Sequence, residues 1–222
     1  MGVEIFAPDR DAASLNAAQA DFLMRQAAAA LRRLADTGHD KMQVAMRLPW
    51  SAMLRRDFAD LVLWECDRLD VSPGRLLFEM IAGDDPGLDA APLRDNLSRL
   101  AAAGCGLDLD ILTPTHKGLT EIAHRASRRL RIEPELCRGS HNRQEQSRLI
   151  LAMIALADHL GLPTLASGVD AVADHGWLAQ IGCDMAEGAA VAEPITLEEL
   201  LTQLTDQGGQ GTTDLAQSSA VA

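Results

Sequence analysis

Tyrosine is absent and aromatic residues amount to only 3% of the chain, while alanine and leucine are abundant. That balance favours helices packed on small-residue surfaces. The four cysteines, Cys66, Cys105, Cys137 and Cys183, lie far apart with no CxxC pair. They read as buried free thiols in a reducing cytoplasm. No apolar run approaches the roughly 18–20 residues that span a bilayer, and MGVEIFAPDRD lacks a signal-peptide core. The sequence therefore predicts a soluble, cytoplasmic chain without membrane insertion. Basic residues are outnumbered 20 to 32 by acidic ones, a net charge of −12. A phosphate-backbone partner needs a basic stripe, so no nucleic acid is expected; a small anionic ligand needs only a local cluster of donors. No internal repeat is found.

What is there is alternation. GVEIFA (2–7) reads as a strand, and 14–35 as a helix with Ser14 as its N-cap. A strand at 42–49, ended by Pro49, precedes helical spacing over 52–69. The same reading gives strands at 75–81, 105–112, 128–133, 163–169 and 184–194. Helices fall at 93–104, closed by Gly104, around 117–125, at 143–161, stopped by Gly161, at 171–180 and at 197–205. Strict alternation implies parallel strands joined by right-handed crossovers, and so many units in one chain suggest a barrel more than an open sheet. The expected organisation is a barrel domain over 1–205 and a polar, Gly-rich, disordered tail over 206–222.

Function in a parallel barrel sits at the C-terminal ends of the strands. The polar residues there are Glu4, Arg47, Glu79, Asp108, Asp110, Arg131, Glu133, Ser167 and Asp170. Charge inside a strand is expensive, so these side chains should be paired, metal-bound or at the rim. Clustered carboxylates would suit Mg²⁺ or Mn²⁺. Asp108 and Asp110, two apart in GLDLDIL, should share one face. His116, His141 and His175 read as solvated loop histidines, and Leu149, Met153, Leu156 and Leu160 as a packing stripe.

From about residue 42 to 200 the chain resembles the EAL domain, the bacterial cyclic di-GMP phosphodiesterase barrel. The segment from RLILAMIALADHLGL through TLASGVD to GCDMAEG and a proline is similar to that family's LA..LGL, AEGVE and L...GCD..QG pattern. LLFEMIAG resembles LEITES, GCGLDLDILTPTHKGL resembles G...ALDDFGTGYSSL, and LRIEPELC resembles LKIDRSFV. The resemblance implies a TIM-like (β/α) barrel of the EAL type. It also implies a two-metal hydrolase in which carboxylates and an asparagine hold ions that activate water.

Carried over residue by residue, Glu79 matches the first glutamate of LEITES, Asp110 the first aspartate of DDFGTG, and Glu4 the glutamate of the EAL tripeptide. The departures are heavy. The metal-binding asparagine falls on Arg47, the second aspartate on Ile111 and the second LEITES glutamate on Ala82. The lysine and aspartate of KID fall on Arg131 and Glu133. The AEGVE glutamates fall on Ser167 and Asp170, and the phosphate-gripping arginine on Pro8. The family's first strand has no counterpart upstream of Gly2, and its small helical lobe is missing after Glu4. Either the chain is part of a longer protein or its barrel closes differently, with the open edge covered by dimerisation or another segment.

The resemblance thus implies a vestigial site of Glu4, Arg47, Glu79, Asp110, Arg131, Glu133, Ser167 and Asp170, with no catalytic residue. No cofactor is expected, although Glu79 and Asp110 would be the remaining ligands for Mg²⁺. Three functions stay open: a regulatory or protein-interaction domain with a protein partner or as a homodimer, a non-hydrolytic cyclic di-GMP receptor, and an active phosphodiesterase. Arg47 is expected to replace the ion by charge-assisted hydrogen bonds to Glu79 or Asp110, with Arg131 serving Glu133 or Asp108 in the same way.

Overall fold

The computed structural model describes residues 2–5, 15–81, 91–108, 127–207 and 219–221. Helix α1 (Ala17–Asp36) starts at Asn16, whose side chain accepts from the Gln19 N–H while Gln19 reciprocates, a capping box. The cap is therefore two residues beyond Ser14, which lies outside the described residues. Strand β1 (Gly2–Ile5) precedes it, and β2 (Gln43–Pro49) follows.

The single helix expected over 52–69 is two: α2 (Trp50–Met53) and α3 (Phe58–Leu69). Asn96, fully buried on α4 (Ala91–Ala102), holds their junction together. Its amide donates to the carbonyls of Met53 and Arg55 at 2.7 and 2.6 Å, and its oxygen accepts from the Ala59 N–H at 3.2 Å.

Strands β3 (Leu76–Ile81) and β4 (Gly106–Asp108) complete an arc of order β4-β3-β2-β1. A second arc contains β5 (Leu130–Ile132), β6 (Thr164–Ala166) and β7 (Met185–Ala186). Every pairing in both arcs is parallel, as alternation with helices requires. The short α5 (Pro134–Cys137), then α6 (Gln144–Leu160), α7 (Val172–Gln180) and α8 (Leu197–Gln207) fill the second half. Gly161, at φ +67°, terminates α6 as expected.

Each arc has its own core. Met24, Leu31, Met46, Phe58 and Phe78 anchor the first, where the two phenylalanine rings meet edge to face at 6.0 Å. Leu130, Ile132, Ile150, Ala166 and Leu178 anchor the second. Cys66, Cys105 and Cys137 are buried, Cys183 is half-buried, and all four are free.

Several expectations change. The strand expected over 184–194 is only Met185–Ala186, because the chain turns at Gly188, where φ is +138° and a Cβ would stand 2.5 Å from the Val169 nitrogen. The helix expected near 117–125 and the end of the 105–112 strand lie outside the described residues. Helix α8 runs to Gln207, past the expected boundary at 205. Residues of the expected disordered tail form β8 (Ser219–Val221), which pairs in parallel with β1. The outer edge of β1 is thus covered by this chain itself. Of the α6 stripe only Met153 is buried; Leu149, Leu156 and Leu160 are exposed.

Candidate functional site

Strand register brings the site together. Arg47 on β2 is level with Glu79 on β3, and Glu79 is level with Asp108 on β4. Across the opening, Arg131 lies on β5 and Arg129 immediately precedes it, and both side chains reach Glu79. Ser167 and Glu187 follow β6 and β7 directly; the Ser167 N–H donates to the Ile132 carbonyl and the Glu187 N–H to that of Ala166. Gly168, at φ +62°, allows this approach, since a Cβ there would stand 2.6 Å from the Pro134 ring.

These residues form one ionic network between the two arcs. Glu79, 3% exposed, accepts from Arg129 Nη2 on Oε1 and from Arg131 Nη1 on Oε2. Arg129 Nε also donates to Asp108 Oδ2 at 2.5 Å. Arg131 Nη2 reaches Glu187 Oε1 at 2.5 Å, and its Nε lies 3.7 Å from Glu133. No backbone pairing joins β4 to β5 among the described residues; arginine–carboxylate bonds span that seam instead. Burial, with the Glu79 charge beside it, pushes the Asp108 carboxyl up to about 6 against the pull of Arg129. Arg129 is desolvated too, but Glu79 and Asp108 outweigh that and hold its pKa above the ordinary value.

The structure redistributes the expected roles. Arg47 does approach Glu79, but its Nε is 3.6 Å away and its Nη2 is 3.8 Å from Glu133. Those are ion-pair distances, too long for hydrogen bonds. The charge-assisted bonds come from Arg131 on β5 and from Arg129 just before it. Arg131 takes Glu79 and Glu187, with Glu133 further off, and Arg129 takes Asp108.

Asp110 lies outside the described residues, as do Ala82 and Ile111. Glu4 sits on β1 in register with Ala45. Ser167 is fully buried, and its hydroxyl has no hydrogen-bond partner among the described residues. Asp170 stands apart from the network, where it accepts from the Ala189 N–H and lies 3.8 Å from Arg138. His141 is exposed as expected, but it is tied down: its Nδ1 is 2.6 Å from the buried Asp174. His175 lies within α7 and is exposed.

Asp108 was expected at a strand end but outside the vestigial site; Arg129 and Glu187, two further members of the network, were not singled out at all. Both had a signal. Arg129 precedes Arg131 by two in RRLRIE, and Glu187 stands where the GCD..QG pattern has glutamine.

Residues 3–194 match the EAL domain family. The chain belongs to that family. It is 24% identical over 181 residues to the cyclic di-GMP phosphodiesterase RocR of Pseudomonas aeruginosa, covering 81% of this chain and 45% of RocR. It is 22% identical over 184 residues to the bifunctional diguanylate cyclase/cyclic di-GMP phosphodiesterase MucR of the same organism, covering 83% of this chain and 27% of MucR. This EAL domain thus spans less than half the length of either relative. Among solved structures, the EAL domain of Mycobacterium smegmatis DcpA superposes with a TM-score of 0.73 at 20% identity, over 86% of both chains. The MucR phosphodiesterase in complex with c-di-GMP gives 0.69 at 22%, over 82% of this chain and 73% of that one. The two parallel arcs are therefore those of a TIM-like EAL barrel, shared at the level of fold.

The described part of the site does not fit the divalent ions that the family's chemistry implies. A hard cation needs carboxylate oxygens turned toward it, but both Glu79 oxygens and one of Asp108 face guanidinium groups. Among the described residues no three His, Cys, Asp or Glu side chains are placed to share a metal.

Proposed function

We propose that this EAL domain is a non-hydrolytic regulatory or protein-interaction module in cyclic di-GMP signalling, acting in the cytoplasm through a protein partner or a second copy. The observation that carries this reading is the engagement of both Glu79 oxygens by Arg129 and Arg131. Fixed cations stand where a mobile ion would have to bind, and neutral Ser167 replaces the expected base. A two-metal hydrolase needs ions that generate a nucleophile; arginine, always protonated and unable to coordinate water as a metal does, supplies charge but no activated water.

Incubation with cyclic di-GMP and Mg²⁺ or Mn²⁺ at neutral pH tests the reading, and no linear pGpG should form. Turnover abolished by Glu79→Gln would restore the phosphodiesterase reading.

A second reading, a cyclic di-GMP receptor without hydrolysis, draws on Arg47. Its side chain is 29% exposed and makes only long ion pairs, to Glu79 and Glu133, so a ligand phosphate could draw its guanidinium. Calorimetric titration with cyclic di-GMP separates the two: heat of binding lost in Arg47→Ala favours the receptor.

A further inference from the structure

Residues 149–157 of α6, LILAMIALA, carry no polar side chain over about two and a half turns. Ile150, Met153, Ile154 and Ala157 face the core, where the helix packs against β5 and α5. The opposite side of an outer helix is ordinarily polar. Here Leu149, Leu151, Leu156 and Leu160 are between 37% and 46% exposed, and Ala152 and Ala155 among them are exposed too. Single exposed leucines are ordinary, but four on one helix form the kind of patch that marks an interface. On α1 and α3 the exposed sides are broken by Arg25, Arg33, Asp60 and Asp67.

The ionisable residues of α6 say what covers it. Glu145 and Arg148 precede the apolar run, and Asp158 and His159 follow it. All are exposed, and none makes a salt bridge or side-chain hydrogen bond among the described residues. Net charge decides nothing here: at the helix N-terminus Arg143 and Arg148 are balanced by Glu145 and by Glu135 of α5, whose carbonyl accepts from Gln146. The match is residue by residue. Two α6 helices laid antiparallel, with their midpoint between Ala152 and Met153, set Leu149 level with Leu156 of the other copy. The same register brings Arg148 within one residue of the other copy's Asp158, and Glu145 within one residue of its His159. A parallel pair would set each charge against itself. The small Ala152 and Ala155 let the two axes approach closely.

We infer that the outer face of α6 is the interface of a symmetric, antiparallel dimer of this chain. The inference rests on the interaction reading above and chooses a second copy as the partner. A single helix pair lies at or below the roughly 1,200 Å² lower end of standard stable interfaces, so association should be reversible and concentration-dependent.

Sedimentation velocity of the full chain over a concentration series tests it. The parent should shift from monomer to dimer. Ala152→Glu, which sets two carboxylates at the axis, should stay monomeric with an unchanged melting temperature. Arg148→Asp and Asp158→Arg should each weaken dimerisation at least about tenfold, because like charges then oppose each other twice. The double exchange should restore it. A parent that stays monomeric at its highest soluble concentration would overturn the inference. So would a dimer indifferent to Ala152→Glu, or single exchanges that the double one does not rescue. Binding of the parent to phosphatidylcholine vesicles that is lost in Ala152→Glu would also overturn it, assigning the face to lipid. No variant touches the barrel mouth, so hydrolysis of cyclic di-GMP would refute the non-hydrolytic reading alone.

Discussion

Replacing Arg131 with methionine keeps most of the apolar stem and deletes one guanidinium from the centre of the network. Arg131 is 6% exposed and bonds Glu79 and Glu187, themselves 3% and 8% exposed. The substitution leaves Glu187 without that bond and Glu79 with Arg129 as its short-range cation. Breaking a buried pair from one side costs about 3–5 kcal/mol, because the surviving charge stays desolvated. In a domain of this size each kcal/mol moves the melting temperature by about 2–4 °C, so the expected drop at pH 7.5 is about 6–20 °C. The loss should shrink near pH 5, where stranded carboxylates take up protons and cease to be buried charges. Arg47→Ala provides the contrast. Its partners are 3.6 and 3.8 Å away and the side chain is 29% exposed, so it should cost no more than about 1 kcal/mol. Thermal melts by circular dichroism decide. An Arg131→Met drop below about 2 °C, or a larger loss from Arg47→Ala, would refute the reasoning.

Asp108 contributes with the opposite sign from an ordinary paired carboxylate. Its folded-state pKa, about 6, lies above the unfolded value of about 3.9. Its contribution to stability is therefore fully present below about pH 4 and lost as pH rises through 6, a cost of about 3 kcal/mol at pH 8. Asp108→Asn should flatten that slope and match or exceed the parent's melting temperature at pH 8; a fall of several degrees there would contradict it. Asn96→Ala removes three buried hydrogen bonds at the junction of α2 and α3 and should cost about 2–4 kcal/mol by urea denaturation. EDTA should leave the melting temperature unchanged; a chelator-induced drop of several degrees would reveal a bound ion.

Period and punctuation made most of the fold legible. Strand–helix alternation identified a parallel architecture, and Gly161 marked the end of α6 because only a left-handed residue closes a helix there cheaply. Alternation could not show that α2 and α3 are separate, since the break depends on a buried side chain, Asn96, from a distant helix. Nor could it show that Ser219–Val221 pairs with β1, because backbone hydrogen bonding of an edge strand leaves little mark on composition. At the site, motif positions nominated Glu79, Arg47, Arg131 and Ser167 as candidates. They did not decide which arginine meets which carboxylate, since that depends on how the two arcs face each other. Charge placed Arg47 as the substitute cation, whereas geometry favours Arg131 and Arg129, on and just before β5, which both reach Glu79. RRLRIE held the evidence in its two-residue spacing.

The central claim is that arginines occupy the place of catalytic ions, and it is tested most directly by exposing the purified chain to cyclic di-GMP with Mg²⁺ and then Mn²⁺ at pH 7.5. Products are resolved by reversed-phase chromatography, with an active EAL phosphodiesterase as control. The account predicts intact cyclic di-GMP after prolonged incubation with either ion. Metal-dependent accumulation of linear pGpG that disappears in Glu79→Gln would contradict it.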